Sequence, residues 1–126
     1  MTRVLIVDDQ PSFRHHLRQL LSYAGLTVVG EAGDIPVAKE LLQDLKPDIA
    51  VVDVMLPGES GIEGTPQLKA LVPSMRVILV SAHHDSAQML QKSAEEVGAE
   101  AFITKDDLDL EVVKKWMEKP ENETFV

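Results

Sequence analysis

Ile49-Ala50-Val51-Val52-Asp53-Val54-Met55-Leu56-Pro57-Gly58 is the stretch whose reading decides the rest of the chain. An unbroken apolar run rich in Val and Ile reads as a strand buried on both faces, because a half-exposed strand would alternate. Pro57-Gly58 stops it. Asp53 then falls near the carboxyl end of a central strand, where packing has no use for a charge. In an open α/β sheet that end is where ligands and chemistry are found. A turn-capping role is the plain alternative for one Asp, and Asp53 alone does not separate the two.

Upstream of this stretch, Lys46-Pro47-Asp48 breaks a helix capped by Asp34, with Val37, Ala38, Leu41, Leu42 and Leu45 as its inward stripe. Residues 26–30 read as a strand. Phe13, Leu17, Leu20, Leu21 and Ala24 repeat at helical spacing between Pro11 and the stop at Gly25. Arg3–Val7 is a first buried strand, closed by Asp8-Asp9. Downstream, the spacing predicts a loose turn at 61–63, then a short helix capped by Thr65 with Pro66 at its first position. It runs through Leu68 and Leu71 to Val72, and Pro73 ends it. Residues 76–80 are a fourth buried strand, closed by Ser81-Ala82. Asp85 or Ser86 caps a helix with Met89, Leu90, Ala94 and Val97 inward, stopped by Gly98. Residues 101–104 are a short fifth strand ending at Lys105. Asp106-Asp107 start a last helix that carries Leu108, Val112, Val113, Trp116 and Met117.

Five strands alternating with five helices imply an α/β domain, a five-stranded parallel sheet with helices on both faces. Right-handed crossovers and this length favour the strand order 2-1-3-4-5. Residues 1–119 form the domain, and 120–126 a polar C-terminal tail.

At 126 residues the chain is one domain with room for a core. It has no cysteine, which excludes disulfides, thiolate chemistry and Cys-based zinc sites. The four His residues form two adjacent pairs, His15-His16 and His83-His84; neighbours point apart, so the solvated reading wins. No stretch has membrane-spanning length and no secretory signal is present, so a cytoplasmic setting is expected. A formal net charge of −9 argues against nucleic-acid binding by this chain alone and suits a divalent cation or a basic partner.

The polar residues that close the strands fall on one edge of the expected sheet: Asp8 and Asp9, Asp53, Ser81 and Lys105. Taken singly, each has an ordinary explanation as a cap, a turn residue or a solvated charge. As an ordered set they converge at the topological switch point. Three carboxylates so close require a cation, and few oxygen ligands completed by water suit Mg²⁺. Asp9 and Asp53 can bind it directly, Asp8 through water, and the Met55 carbonyl can complete the protein's share. Lys105 can pair with Asp53 or with a phosphoryl oxygen, to which the Ser81 hydroxyl can also donate. Such a set supports in-line phosphoryl transfer to Asp53 as a carboxylate nucleophile.

These residues resemble the response-regulator receiver domain (CheY-like) of bacterial two-component signalling, over residues 2–119. The matching stretches are Val4-Leu5-Ile6-Val7-Asp8-Asp9; Val52-Asp53-Val54-Met55-Leu56-Pro57-Gly58 with Gly61; Val80-Ser81-Ala82; and Gly98-Ala99-Glu100-Ala101-Phe102-Ile103-Thr104-Lys105. The resemblance implies that Asp53 is the phosphoacceptor, Asp8 and Asp9 the Mg²⁺-binding pair, Ser81 the hydroxyl that swings toward the phosphoryl group, and Lys105 the cation beside it. It makes Phe102 a switch aromatic as well as a core residue. The implied partners are a sensor histidine kinase or phosphotransfer protein and an output domain or effector. Homodimerisation would use the face of the fourth helix, fifth strand and fifth helix.

The chain also departs from the pattern. Asp106 follows Lys105 where many receivers have Pro, which is most like receivers that precede helix-turn-helix output domains. The Ser81–Gly98 span is slightly long, and Gly64 and Pro66 make the third helix unusual. No output domain fits in 126 residues, so either a stand-alone receiver or a fragment is expected. Met55 and His83 flank the path of an attacking water; Met55 offers it no acid or amide, so slow loss of the phosphoryl group is expected. An aspartyl phosphatase is the enzyme alternative, but Gln10 and Met55 stand where its second acid belongs. A phosphorylation-independent module would be expected to lack one of the key residues, and none is missing.

Overall fold

The computed structural model describes residues 1–82 and 87–117. The element order is β1 (Arg3–Val7), α1 (Pro11–Ala24), β2 (Thr27–Ala32), α2 (Ile35–Leu45), β3 (Ile49–Asp53), α3 (Gly61–Leu71), β4 (Arg76–Ser81), α4 (Ala87–Glu96), β5 (Ala101–Thr104) and α5 (Leu110–Lys114). Short 3₁₀ turns at Lys105–Asp107 and Lys115–Met117 flank α5. The sheet is parallel, in the order β2-β1-β3-β4-β5. The predicted fold class and strand order are therefore those of the molecule.

Strand residues alternate between two cores, as a period of two requires. Leu5, Val7, Ala50, Val52, Val77 and Leu79 face α2, α3 and α4. Val4, Ile6, Ile49, Val51, Ile78 and Val80 face α1 and α5, where Leu17, Leu21, Val113 and Trp116 complete the layer. Every residue of β3 is buried, which explains its unbroken apolar run. The register Val52↔Val7 and Asp53↔Val80 places the carboxyl ends of β1, β3 and β4 side by side.

Local signals set most boundaries. Gly25 stops α1 at φ 94°, a left-handed conformation that glycine adopts without steric cost. Asp34 caps α2 by accepting from the Val37 N–H at 2.9 Å. Gly98 follows α4 at φ 88°.

The structure departs from the sequence reading at five places. β2 covers Thr27–Ala32 instead of 26–30, because pairing with β1 continues to Val7↔Ala32. On α2, Val37 is 40% exposed and Ile35 is the buried residue at the helix start. α3 starts at Gly61, not at Thr65-Pro66: Ser60 and Glu63 form a reciprocal capping box. Thr65 donates its hydroxyl to the Gly61 carbonyl at 2.7 Å from inside the helix, and Pro66 is the sixth residue of α3, inside the helix, where it has no N–H to offer the Ile62 carbonyl. On α4, Met89 is 73% exposed, while Ala94 is buried and Leu90 and Val97 half-buried. The last α-helix is capped by Asp109, whose carboxylate accepts from the Val112 N–H at 2.9 Å, so Asp106-Asp107 belong to the preceding 3₁₀ turn. The expected cap at Asp85 or Ser86, the pair His83-His84 and the tail 120–126 lie outside the described residues.

Candidate functional site

β1 delivers Asp8 and Asp9 to the sheet edge, β3 delivers Asp53, and the residue just past β5 delivers Lys105. Asp8 and Asp53 are buried and Asp9 is exposed. One carboxylate oxygen from each of the three lies within 4.8 Å of the others. Lys105 Nζ meets Asp8 Oδ2 at 2.8 Å and donates to Asp53 Oδ2 at 3.1 Å. The ammonium is thus the counter-ion of two buried carboxylates.

The backbone holds these acids in place. Gln10 N–H donates to Asp8 Oδ1 at 2.8 Å, and Met55 N–H donates to Asp53 Oδ1 at 3.0 Å. Arg14, from α1, donates to the Asp8 carbonyl at 2.5 Å and also pairs with Glu31 on β2 at 2.9 Å. Behind Asp53 a glycine is obligatory. A Cβ on Gly61 would lie 2.2 Å from the Asp53 carbonyl oxygen, and the Gly61 N–H donates to the Val54 carbonyl at 3.0 Å. The turn after β3 therefore folds tightly onto the strand end.

Burial pushes the Asp53 carboxyl up, to about 6. The Met55 N–H pulls it back, the Asp8 charge and contact push it further up, and Lys105 pulls it down. Burial also weighs against the Lys105 ammonium, but Asp8 and Asp53 together outweigh it and hold Lys105 above its usual value. The cluster holds more negative charge than one ammonium offsets. Clustered carboxylate oxygens are the donor set of a hard divalent cation, so the residues present fit such an ion.

A cleft of about 340 Å³ opens above the cluster, lined by Asp9, Gln10, Asp53, Met55, Leu56, Ala82 and Lys105. Met55 is 59% exposed at its lip. Ser81 is fully buried at the end of β4, opposite Thr104 of β5, and lies below the lining instead of on it. Phe102 is half-buried against the α2–α3–α4 core and is also outside the lining. His15 and His16 are exposed on α1.

Two contributors escape a reading by strand ends. Gln10 reaches Lys105 Nζ at 3.5 Å, and the Phe13 ring lies under the same ammonium, 4.0 Å from its centroid. Phe13 reads as an apolar-stripe residue, which it also is. The available signal was its place in the first turn of a helix that begins directly after the acidic pair.

The parallel α/β sheet thus carries two buried carboxylates, one exposed carboxylate and one lysine at its switch point, the frame of a ligand-binding doubly wound domain. The response regulator receiver domain family matches residues 4–115, and the chain belongs to it. The probable transcriptional regulatory protein NarL of Mycobacterium tuberculosis is 38% identical over 113 residues, 89% of this chain and 51% of that protein. The chain thus spans about half the length of that relative. The chemotaxis protein CheY of Thermotoga maritima is 36% identical over 103 residues, 82% of this chain and 84% of that protein. The solved signal receiver domain of the putative response regulator NarL from M. tuberculosis superposes with a TM-score of 0.80 at 34% identity, covering 92% of each chain. Among the described residues no helix is long and apolar enough to cross a membrane.

Proposed function

We propose that this chain is a phosphorylatable switch of a two-component phosphorelay, with Asp53 as the phosphoacceptor. The observation that carries it is the convergence of Asp8, Asp9 and Asp53 with Lys105 in one cleft. The donor is a phosphohistidine on a sensor kinase or phosphotransfer protein, or a small acyl phosphate. A carboxylate oxygen of Asp53 forms the bond to phosphorus. With a phosphohistidine the phosphorus–nitrogen bond breaks, and the imidazole keeps the electron pair and takes a proton from solvent; with an acyl phosphate the bridging phosphorus–oxygen bond breaks and the carboxylate leaves with the electron pair. Hydrolysis reverses the state: water adds to phosphorus, inorganic phosphate leaves and the Asp53 carboxylate returns.

Asp9 and Asp53 would hold Mg²⁺ directly, Asp8 through water, and the Met55 carbonyl would complete the set. When bound, the ion neutralises charge on the transferring phosphoryl oxygens. Lys105 pairs with one of those oxygens, and the Ser81 hydroxyl donates to it. Ser81 must move outward to do so, since it lies below the cleft lining. Phe102 turns inward into the space this leaves, and the packing change biases the α4–β5–α5 face between two states. That face engages an output domain, an effector protein or a second copy of the chain, in a cytoplasmic setting. The chain catalyses only its own phosphorylation and dephosphorylation. Residues 1–119 act as one receiver unit.

Intact-mass analysis after incubation with acetyl phosphate and Mg²⁺ tests this. The expected result is gain of one phosphoryl group by the wild-type chain and none by Asp53→Asn. Equal labelling of both would overturn the assignment.

A further inference from the structure

Among the described residues, Lys105 Nζ lies against Asp8 Oδ2 at 2.8 Å, Asp53 Oδ2 at 3.1 Å, Gln10 Oε1 at 3.5 Å and the Phe13 ring at 4.0 Å to its centroid. The ammonium donates hydrogen bonds to Asp53 Oδ2 and Gln10 Oε1, while its contact with Asp8 Oδ2 is an ion pair without hydrogen-bond geometry. The aromatic face supplies a further, electrostatic attraction that uses no donor. The lysine side chain is only 12% exposed, so this contact is partly desolvated and correspondingly stronger. Phe13 is itself fixed: it stands in the first turn of α1 and packs on the α1–α5 core.

The four neighbours differ in one respect that matters for phosphoryl transfer. Asp8 and Asp53 are also residues that would hold a divalent cation. Once so engaged, their pull on Lys105 falls, and like charge repels the ammonium from the cleft. Gln10 is exposed and its contact is at the limit of hydrogen-bond distance. Phe13 has no part in ligating a hard cation, so its attraction survives in the loaded site. We infer that Phe13 is a positioning residue that retains Lys105 over the acid cluster when the carboxylates are occupied, so that the ammonium is in place for the incoming phosphoryl oxygen. The inference rests on Asp53 being the phosphoacceptor for its consequence, but not for the contact itself.

This role has opposite effects on two measurable quantities. Holding the ammonium near the acids opposes metal binding and favours phosphoryl transfer. Phe13→Leu keeps an apolar side chain and removes the ring. It should slow labelling by acetyl phosphate at saturating Mg²⁺ by roughly 3- to 20-fold. It should also tighten Mg²⁺ binding, followed by calorimetry on the full chain, by about 2- to 5-fold. Phe13→Tyr keeps the ring and should restore both values. A metal-free readout follows the contact directly: the Lys105 ε-methylene resonances should carry an upfield ring-current shift in the wild-type and Tyr chains that is lost in the Leu chain. Should Phe13→Leu fail to fold, Phe13→Met supplies the same test with a flexible filler. A Leu or Met variant in which labelling and Mg²⁺ affinity both fall would assign Phe13 a packing role and overturn the proposal, as would no change in either. Absence of labelling in the wild-type chain would count against the phosphoacceptor reading; the Mg²⁺ and ring-current measurements would still decide whether Phe13 holds Lys105.

Discussion

At the amino edge of the sheet, Arg76 meets both carboxylate oxygens of Glu100 at 2.7 Å and donates to the Trp116 carbonyl at 2.6 Å. Beside it, Asp48 accepts from the Arg3 N–H at 2.8 Å. At the carboxyl edge, one ammonium, Lys105, serves two buried carboxylates, with a third from Asp9 alongside. The first edge matches one guanidinium, Arg76, with one carboxylate, Glu100, and satisfies Asp48 with a backbone N–H, all near solvent where such contacts are worth little. The second buries charge without balancing it, an arrangement that lowers stability. Charge placed at a cost to folding is charge retained for chemistry, and that contrast locates the site better than any single motif.

Several substitutions can break or sharpen the contrast. The largest stability effect should come from Lys105→Met, which leaves Asp8 and Asp53 buried without their counter-ion. Denaturant unfolding near neutral pH without divalent cations should show a loss of about 3 kcal/mol. Saturating Mg²⁺ should return much of it, because the ion then supplies the missing charge.

Asp53→Asn should act in the opposite direction. The folded-state pKa of Asp53, about 6, lies above its unfolded value of 3.8, so the folded state binds the proton more tightly. Stability therefore falls as pH rises from about 4 to 6 and stays low above it. Asparagine lacks this titration. The variant should be more stable than wild type by on the order of 2 kcal/mol at pH 7 and no more stable near pH 4, checked by unfolding at both values.

The amino edge should respond weakly. Arg76→Met should cost about 1 kcal/mol, since it loses a half-exposed bidentate pair and a carbonyl contact. Asp48→Ala should cost about 0.5 kcal/mol or less in the same assay. Losses there as large as at Lys105 would remove the contrast.

Met55 tests the kinetics of the same edge. It projects at the cleft lip, and its side chain carries no acid or amide with which to orient a water. Met55→Asn should shorten the lifetime of the phosphorylated chain by roughly 3- to 10-fold in a phosphate-release assay.

What could be read from the sequence follows the same division. The strands were legible because burial on both faces leaves long Val/Ile runs, and the acids and the lysine stood out as charges directly after them. The α3 start was not, because Thr65-Pro66 imitates an N-terminus. The Ser60–Glu63 capping box claims the true one, and Gly61 and Gly64 let the helix pack close to Asp53 and Ile35. Val37 and Met89 sit at helical spacing, yet both point outward, because periodicity fixes a stripe only to within about one position. Phe13 was assigned to a core face; its contact with Lys105 joins residues 92 positions apart and leaves no local pattern. Ser81 and Phe102 were legible as residues, but their places below and outside the cleft lining depend on strand register and side-chain packing.

The central claim is that Asp53 itself carries the phosphoryl group. Borohydride trapping after incubation with acetyl phosphate and Mg²⁺, followed by peptide mass mapping, tests it most directly. The account predicts a reduced, homoserine-type residue at position 53 and nowhere else. Trapping at Asp8 or Asp9, or phosphate found on His15 or His16 with Asp53 unmodified, would contradict it.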